Sequence, residues 1–157
     1  MKSNAINRFP PLKIMFILSM VIIVLTCFCH AGFAQENLKV ATCQFPVTGD
    51  LKSNADYIKE SIKEAAQNHA DIVHFSEAAL TGYPPGDIPS FENYNWEALR
   101  AETYEIMSLA KEKRIWVVLG SAHYLDEEEK PLNCLYIISS EGKIIGRYDK
   151  SMLTKGD

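Results

Sequence analysis

Residues 71–87 read DIVHFSEAALTGYPPGD, and this stretch decides how the remainder of the chain is interpreted. It opens with a short run, Asp71 to Ser76, whose apolar residues predict a strand buried on both faces. Glu77 follows at once, and the Gly-Tyr-Pro-Pro-Gly turn of residues 82–86 comes next. Because proline restricts the backbone, such a turn can hold a neighbouring side chain still. The stretch therefore predicts a covered strand that ends at a positioned carboxylate.

Helices and strands alternate on either side of this stretch. Apolar residues recur in steps of three and four in two segments, which predicts amphipathic helices at residues 50–68 and 96–113. Asp50 or Ser53 can cap the first of them. Apolar runs predict the other strands at residues 38–45, 115–124, 134–139 and 144–148. The order β-α-β-α-β-β-β predicts an α/β sheet in which two crossovers join neighbouring parallel strands.

Two polar residues are predicted to meet at one end of this sheet. Glu77 follows the second strand, and Lys150 follows the last one. In open α/β sheets, ligands bind outside the carboxyl ends of the strands, so both side chains could reach one rim. Tyr83, in the loop after Glu77, either braces that loop with its neighbouring prolines or lines a pocket.

The first thirty-four residues have the pattern of an export signal. Three basic residues precede an uncharged run of 16 residues from Ile14 to Cys29, and small residues follow at Gly32 and Ala34. The run exceeds the usual signal core of about 7–15 residues and falls short of the roughly 18 expected of a membrane span. We predict that residues 1–34 are a signal peptide or an N-terminal membrane anchor. The body, residues 35–157, is then exported (periplasmic, secreted or membrane-anchored), with membrane contact only through this segment.

Charge and cysteine content limit the classes of partner and of site that residues 35–157 can have. This part contains 13 basic and 20 acidic residues, a net charge of −7, and has no basic stripe, which argues against nucleic acid as a partner. Cys43 and Cys134 lie in apolar runs, where two buried thiols are expected, although an exported protein could also pair them. His74 and His123 are expected to be core or surface residues, and no His/Cys/Asp spacing suggests a metal site.

From Leu38 to Asp157 the chain resembles the nitrilase superfamily, the carbon–nitrogen hydrolases. The resemblance rests on four stretches in this order: VATCQFPVTGD, SEAALTGYPPGD, VVLGSAHY and NCLYIISSEGKIIGRYDKSML. It implies half of an α-β-β-α sandwich of nitrilase type, which we expect to be incomplete at the C-terminus. Two positions depart from the family pattern: Ser76 stands where a Pro commonly precedes the Glu, and Asp149 where an Arg commonly precedes the Lys.

The resemblance also implies a chemistry. Members of the family cleave non-peptide C–N bonds in small-molecule amides, nitriles or carbamoyl compounds, and they use a Glu, a Lys and a Cys with no cofactor. Carried over by position, Glu77 is the general base that activates a thiol, and Lys150 is the cation that faces the developing oxyanion. Asp149 beside Lys150 is expected to mute that cation.

The nucleophile of this chemistry is unassigned. In the family, the Cys and a second, assisting Glu follow the Lys in sequence, so both are expected beyond Asp157, and neither Cys43 nor Cys134 matches. We therefore expect an exported carbon–nitrogen hydrolase of which residues 1–157 are inactive alone. A homo-oligomer or a complementing C-terminal half is its expected protein partner.

Two alternatives stay open at this point. One is a non-catalytic, exported α/β binding module or pseudoenzyme. A dinucleotide-binding version of it is disfavoured, because FPVTGDLK after the first strand lacks the glycine-rich fingerprint. The other follows from the LTGYPPGD loop, which also resembles the glutaminase domains attached to NAD synthetases. An exported location disfavours that variant, because its partner chemistry needs cytoplasmic ATP.

Overall fold

The structure, a computed structural model, describes residues 37–125 and 130–152 together with Phe16 and Met20. The chain divides into two compact units, Met1–Asn37 and Leu38–Asp157. In the first unit, Phe16 and Met20 are helical and exposed, and the export segment predicted for residues 1–34 otherwise lies outside the described residues. Within the described part, none of the helices combines the length and the apolar content that a membrane crossing requires.

The second unit follows the predicted order of elements. The strands and helices are β1 Val40–Cys43, α1 Leu51–Gln67, β2 Ile72–Phe75, α2 Trp96–Lys113, β3 Trp116–His123, β4 Leu132–Ile138 and β5 Ile144–Asp149. The predicted β-α-β-α-β-β-β order is therefore confirmed. β1 is two residues shorter at each end than the predicted 38–45, and β4 begins two residues before the predicted start at Cys134. Its first residue, Leu132, already pairs with His123 of β3, and this long-range pairing extends the strand.

All five strands form one mixed sheet in the order β1-β2-β3-β4-β5. The first three strands are parallel, β4 is antiparallel to β3, and β5 is antiparallel to β4. As a result β5 runs in the same direction as β2 and β3. These three strands end, and β4 begins, at the same end of the sheet, which we call the carboxyl rim.

Both helices pack on one face of the sheet and on each other. Asp50 caps α1 by accepting a hydrogen bond from the backbone N–H of Lys52, as one of the two predicted caps. Burial of apolar surface between helices and sheet is the main stabilising term of this unit. The largest fully buried apolar side chains are Ile58, Ile62, Val73, Phe75, Leu80, Ile106, Ile115, Val117, Leu119 and Ile138.

The opposite face of the sheet is apolar and partly open. The strand register places Val40, Ile72 and Trp116 side by side on this face, and it places Ile137 opposite Val118. Val40 is 50% exposed and Trp116 is 37% exposed. Successive side chains of a strand point to opposite faces, so the residues between these ones belong to the helix-covered core. Within the described residues, the helices thus cover one face of the sheet, and the opposite, apolar face carries no helix.

Candidate active site at the carboxyl rim

The segment after β2 carries Glu77 across the sheet. Strands β2 and β5 are three strand spacings apart, about 14 Å, so the ends of these strands alone would not bring their polar residues together. Instead the chain passes closely against β3 at Gly120: the backbone N–H of Leu80 donates to the Gly120 carbonyl at 3.0 Å. A Cβ atom at position 120 would lie only 2.0 Å from the Ser76 carbonyl oxygen. The absence of a side chain at Gly120 therefore permits this crossing.

A tight turn and a buried asparagine fix the crossing segment. Ala78, directly after Glu77, has φ of 52°, a left-handed conformation that costs an alanine roughly 1–2 kcal/mol. From α1, the fully buried Asn54 donates through Nδ2 to the Leu80 carbonyl at 3.2 Å and to the Thr48 carbonyl at 2.7 Å. The backbone on either side of Glu77 is thus held by β3 and by α1.

Glu77 and Lys150 form an ion pair at the carboxyl rim. Lys150 Nζ lies 3.1 Å from Glu77 Oε1, although the two residues are 73 positions apart in sequence. Asn133 of β4 donates through Nδ2 to the same oxygen at 2.6 Å. The Lys150 side chain is 26% exposed and that of Glu77 is 51% exposed. The structure therefore brings together the two side chains that the sequence places at one rim, and it adds an amide between them.

Tyr83 lies beside the ammonium group of this pair. Lys150 Nζ is 5.5 Å from the centre of the Tyr83 ring, within the range of a cation–π contact. The loop that carries the ring is closed on itself. The backbone N–H of Tyr83 donates to Asp87 Oδ2 at 2.9 Å, and the backbone N–H of Asp87 donates to the Tyr83 carbonyl at 2.7 Å. Of the two roles left open for Tyr83, the structure shows that its ring lines a cavity.

That cavity has a volume of about 480 Å³ and adjoins the ion pair. Its size falls in the range of small-molecule sites. Most of its lining is apolar or aromatic, with Lys150 and Asn133 as polar groups near the rim. Thr81 and Ser121, each 1% exposed, also line it, and Thr81 Oγ1 has no hydrogen-bond partner within the described residues. The arrangement offers a small organic molecule a shaped apolar space with convergent polar atoms at one end.

Asp149 does not turn toward the cavity beside Lys150. Strand register pairs Asp149 with Cys134, and its Oδ1 lies 2.8 Å from Nε of Arg147. Cys134 is on the helix-covered face, because it lies in the buried core there. Alternation along β5 therefore sends Asp149 to the covered face. The expected muting of Lys150 by Asp149 is weakened, because the carboxylate is engaged by Arg147.

The two described cysteines lack the properties of a nucleophile. Both are free thiols, Cys134 buried and Cys43 half-buried. Burial raises the pKa of Cys134 to about 12, and burial is also the main cause that raises the pKa of Cys43. Since the thiolate is the attacking form, both thiols are poorly reactive near neutral pH.

His123 ends β3 at the carboxyl rim, but its side chain is engaged by a residue of the helix-covered core. His123 Nδ1 lies 2.7 Å from the hydroxyl of the buried Tyr136, and burial lowers the pKa of His123. His74 lies within β2 and is half-buried. In residues 37–125 and 130–152 no group of three His, Cys, Asp or Glu side chains could hold a metal ion.

Two residues of the site were not identified from the sequence. A glycine inside a strand pattern signals close approach of another backbone, so Gly120 in VVLGSAHY carried a readable signal. Asn133 carried a weaker one, since it precedes the predicted start of β4. An antiparallel strand begins where its parallel neighbours end, so the first residues of β4 belong to the carboxyl rim.

Comparison with known proteins gives a family and a fold. A family model described as carbon-nitrogen hydrolase matches residues 39–157. A glutamine-dependent NAD(+) synthetase of Acinetobacter baylyi is 29% identical over 119 residues, which are 75% of this chain and 21% of that protein. An arylacetonitrilase of Aspergillus niger is 34% identical over 131 residues, covering 74% of this chain and 37% of that protein. The chain thus spans between a fifth and two fifths of these relatives' length.

Solved structures show the same fold at lower identity. A mutant of the Nesterenkonia AN1 amidase from the nitrilase superfamily matches with a TM-score of 0.66 and 19% identity, covering 74% of this chain and 44% of that one. A second structure holds the same mutant in complex with butyramide. A third shows covalent addition of the acetamide moiety of fluoroacetamide at the active site cysteine. The likeness confirms the nitrilase-type α/β fold, of which this chain matches less than half of the larger structure.

Proposed function

The chain belongs to the carbon–nitrogen hydrolase family, and from this premise we propose that Glu77 and Lys150 serve an active site that hydrolyses a non-peptide C–N bond. In this proposal Glu77 is the general base and acid, and Lys150 is the cation that faces the developing oxyanion. Tyr83 lines the substrate cavity. The substrate is a small amide, nitrile or carbamoyl compound, and no cofactor takes part.

The chemistry needs residues of these types. A cysteine thiol passes its proton to Glu77 while its sulfur bonds to the substrate carbon. The oxygen of an amide substrate becomes negative in this step, and a fixed ammonium group stabilises that charge by a few kcal/mol. Glu77 then returns the proton to the leaving nitrogen as the C–N bond breaks. Water, activated by the same carboxylate, hydrolyses the thioester that remains.

The observation that carries the proposal is the contact of 3.1 Å between Lys150 Nζ and Glu77 Oε1 beside the cavity. A pair this exposed adds only about 0–1 kcal/mol to stability. The fold nevertheless builds it from two distant segments, with a crossing over Gly120 and a left-handed Ala78. Backbone strain of this kind concentrates at functional sites, which supports a chemical role for the pair.

The proposed nucleophile is a cysteine outside the described residues. Neither Cys43 nor Cys134 is suited, because burial raises the pKa of both thiols. We place the nucleophile after Lys150 in sequence, as the family resemblance implies. The apolar sheet face that carries Val40 and Trp116 supports a further layer of structure, from a complementing C-terminal half or another copy, because exposed apolar sheets favour association.

Turnover by the product of the complete reading frame tests the proposal. Release of ammonia is measured from butyramide, phenylacetonitrile and a carbamoyl amino acid. Glu77→Gln is expected to lower kcat/KM by about 10²–10⁴-fold, because it removes a general acid–base. Lys150→Met is expected to lower it by about 10²–10³-fold, as for loss of one oxyanion-stabilising group. Glu141→Gln and Lys143→Met are matched controls, because these residues form a surface pair of 2.9 Å at the β4–β5 turn.

Two results would count against the proposal. Equal losses in the control pair would show that charge removal as such impairs the protein. Full activity of Glu77→Gln would show that Glu77 is not the general base. If the protein binds butyramide without releasing ammonia, the alternative of a non-catalytic binding module gains support.

We further propose that residues 1–34 direct export, as a cleaved signal or a retained anchor. The support is their sequence pattern, with an uncharged run from Ile14 to Cys29. Fusing residues 1–34 to a reporter enzyme that is active only outside the cytoplasm tests this. Reporter activity that persists after deletion of the uncharged run would contradict it.

A further inference from the structure

Asn133 connects the two charged residues of the carboxyl rim. Its side-chain Nδ2 donates to Glu77 Oε1 at 2.6 Å, and its backbone carbonyl accepts from the backbone N–H of Lys150 at 2.9 Å. Asn133 lies in β4, where it pairs with Ala122 of β3, so the sheet itself fixes its position. One strand residue therefore contacts both Glu77 and the chain segment that carries Lys150.

The two oxygens of the Glu77 carboxylate have different surroundings. Oε1 receives both Nδ2 of Asn133 and Nζ of Lys150. Within residues 37–125 and 130–152, the hydrogen bonds and the ion pair of this carboxylate all go to Oε1, and none goes to Oε2. Donors that are held to one oxygen compete with a proton for its lone pairs. The oxygen without donors is accordingly the better proton acceptor.

From these contacts, and on the basis of the proposed function, we infer that Asn133 is a positioning residue that anchors Glu77 by Oε1 and leaves Oε2 to accept the proton. In the first step the S–H bond of the nucleophile breaks and an O–H bond forms at Oε2. In the second step that O–H bond breaks, and an N–H bond forms on the leaving nitrogen as the C–N bond is cleaved. Asn133 touches neither the sulfur nor the leaving nitrogen in this scheme.

Glu77 needs such an anchor because, apart from the contact with Lys150, only its backbone is held. The hydrogen bonds of Leu80 to Gly120 and Asn54 fix the crossing segment, but the Glu77 side chain itself is 51% exposed. Lysine has a flexible four-carbon stem and acts as a point charge. Asn133 has a short side chain on a paired strand, and a neutral amide donates without displacing the ammonium group.

Kinetics of the protein from the complete reading frame test the inference. Asn133→Leu removes the donor, and Asn133→Asp keeps the volume but sets a second carboxylate beside Glu77. Both are expected to lower kcat by about 10–100-fold, because misplacement by about 1 Å can cost 10²-fold in rate. KM should change less than kcat, because the anchor acts on the reacting group. Asn68→Leu and Asn68→Asp are matched controls, since Asn68 is exposed at the far end of α1.

The outcomes separate this inference from the proposed function. If Glu77→Gln abolishes turnover while both Asn133 variants keep kcat close to that of the parent protein, the anchor is refuted and the proposed function stands. If the Asn133 variants raise KM alone, Asn133 contacts substrate and does not position Glu77. If Glu77→Gln is fully active, the proposed function itself falls.

A spectroscopic measurement on residues 1–157 needs no turnover. The side-chain amide signals of Asn133 are identified in a ¹⁵N–¹H spectrum by their loss in Asn133→Leu. A hydrogen bond to a carboxylate moves one of the two amide protons downfield, so Glu77→Leu should return that proton upfield. Glu141→Leu, a glutamate at the opposite end of β4, should leave both protons in place. An Asn133 signal that ignores Glu77→Leu overturns the anchor.

Discussion

Replacing Gly120 with alanine should displace the segment that carries Glu77. The added Cβ would lie 2.0 Å from the Ser76 carbonyl oxygen and 2.8 Å from the Ala78 amide nitrogen. Both neighbours are backbone atoms, so no side chain can turn aside to relieve the clash. To reach even 3.0 Å, the Ser76 carbonyl must withdraw by about 1 Å from its present 2.0 Å.

The energetic cost of Gly120→Ala has two parts. Overpacking of a well-packed site costs about 1–3 kcal/mol. Loss of the hydrogen bond from Leu80 to the Gly120 carbonyl adds about 0.5–1.5 kcal/mol. A destabilisation of about 2–4 kcal/mol corresponds to a fall in Tm of roughly 8–16 °C for a unit of this size. The contacts of Glu77 at 2.6 and 3.1 Å would be broken by the same 1 Å movement.

Thermal unfolding and ammonia release measure these two effects on the protein from the complete reading frame. Gly146→Ala is the matched control, because Gly146 also lies within a strand but its added Cβ would make ordinary contacts with the Ile137 side chain, the nearest to Cδ1 at 3.5 Å. We expect its Tm to stay within the small change of a tolerated surface substitution. If the Gly120→Ala protein has the same Tm as the parent protein and keeps full turnover, the crossing at Gly120 does not determine the position of Glu77.

Two other predictions concern the covered face of the sheet and its helices. Lys59→Met should cost about 1–3 kcal/mol, because Lys59 and Glu102 are 15% and 13% exposed and 2.9 Å apart. The variant leaves the Glu102 carboxylate with the longer contact of 3.5 Å to the exposed Lys52. Chemical unfolding measures the loss, and an equal loss in Lys143→Met would contradict the prediction. Cys134 should resist iodoacetamide at pH 8 in the native protein and react in urea, because a pKa of about 12 lowers its thiolate fraction about 10³-fold. Since this folded-state pKa lies above the ordinary value of 9.0, the stabilisation linked to Cys134 is present below about pH 9 and is lost as pH rises toward 12. Mass spectrometry measures the rate of labelling. If Cys134 is labelled as fast in the native protein as in the unfolded protein, the thiol is not buried.

Sequence patterns captured the elements of the fold because those signals are local. The steps of three and four in residues 50–68 and 96–113 reflect a helix with one apolar stripe, and both helices are observed. The carboxyl rim could be anticipated because crossovers between neighbouring strands impose one direction on them. Glu77 and Lys150 could be placed there from strand direction alone.

The details that bring these two residues into contact are not local. The crossing at Gly120 depends on a backbone approach between segments more than forty positions apart. The earlier start of β4 depends on pairing with β3, and this pairing places Asn133 inside the strand. Single-residue patterns carry no measure of such distances, so Gly120 and Asn133 emerged only from the structure.

Because successive residues of a strand point to opposite faces, only one of two neighbouring β4 residues can face Glu77 at the carboxyl rim. Asn133 and Cys134 are adjacent and point to opposite faces, so the pairing of Asn133 with Ala122 decides which of them meets Glu77. If β4 shifted by one position, Cys134 would replace Asn133 beside the Glu77 carboxylate, and Asn133 would point into the helix-covered core. An insertion or deletion in the β3–β4 connection that alters this pairing would thus change which side chain contacts Glu77, although β4 itself would keep its sequence.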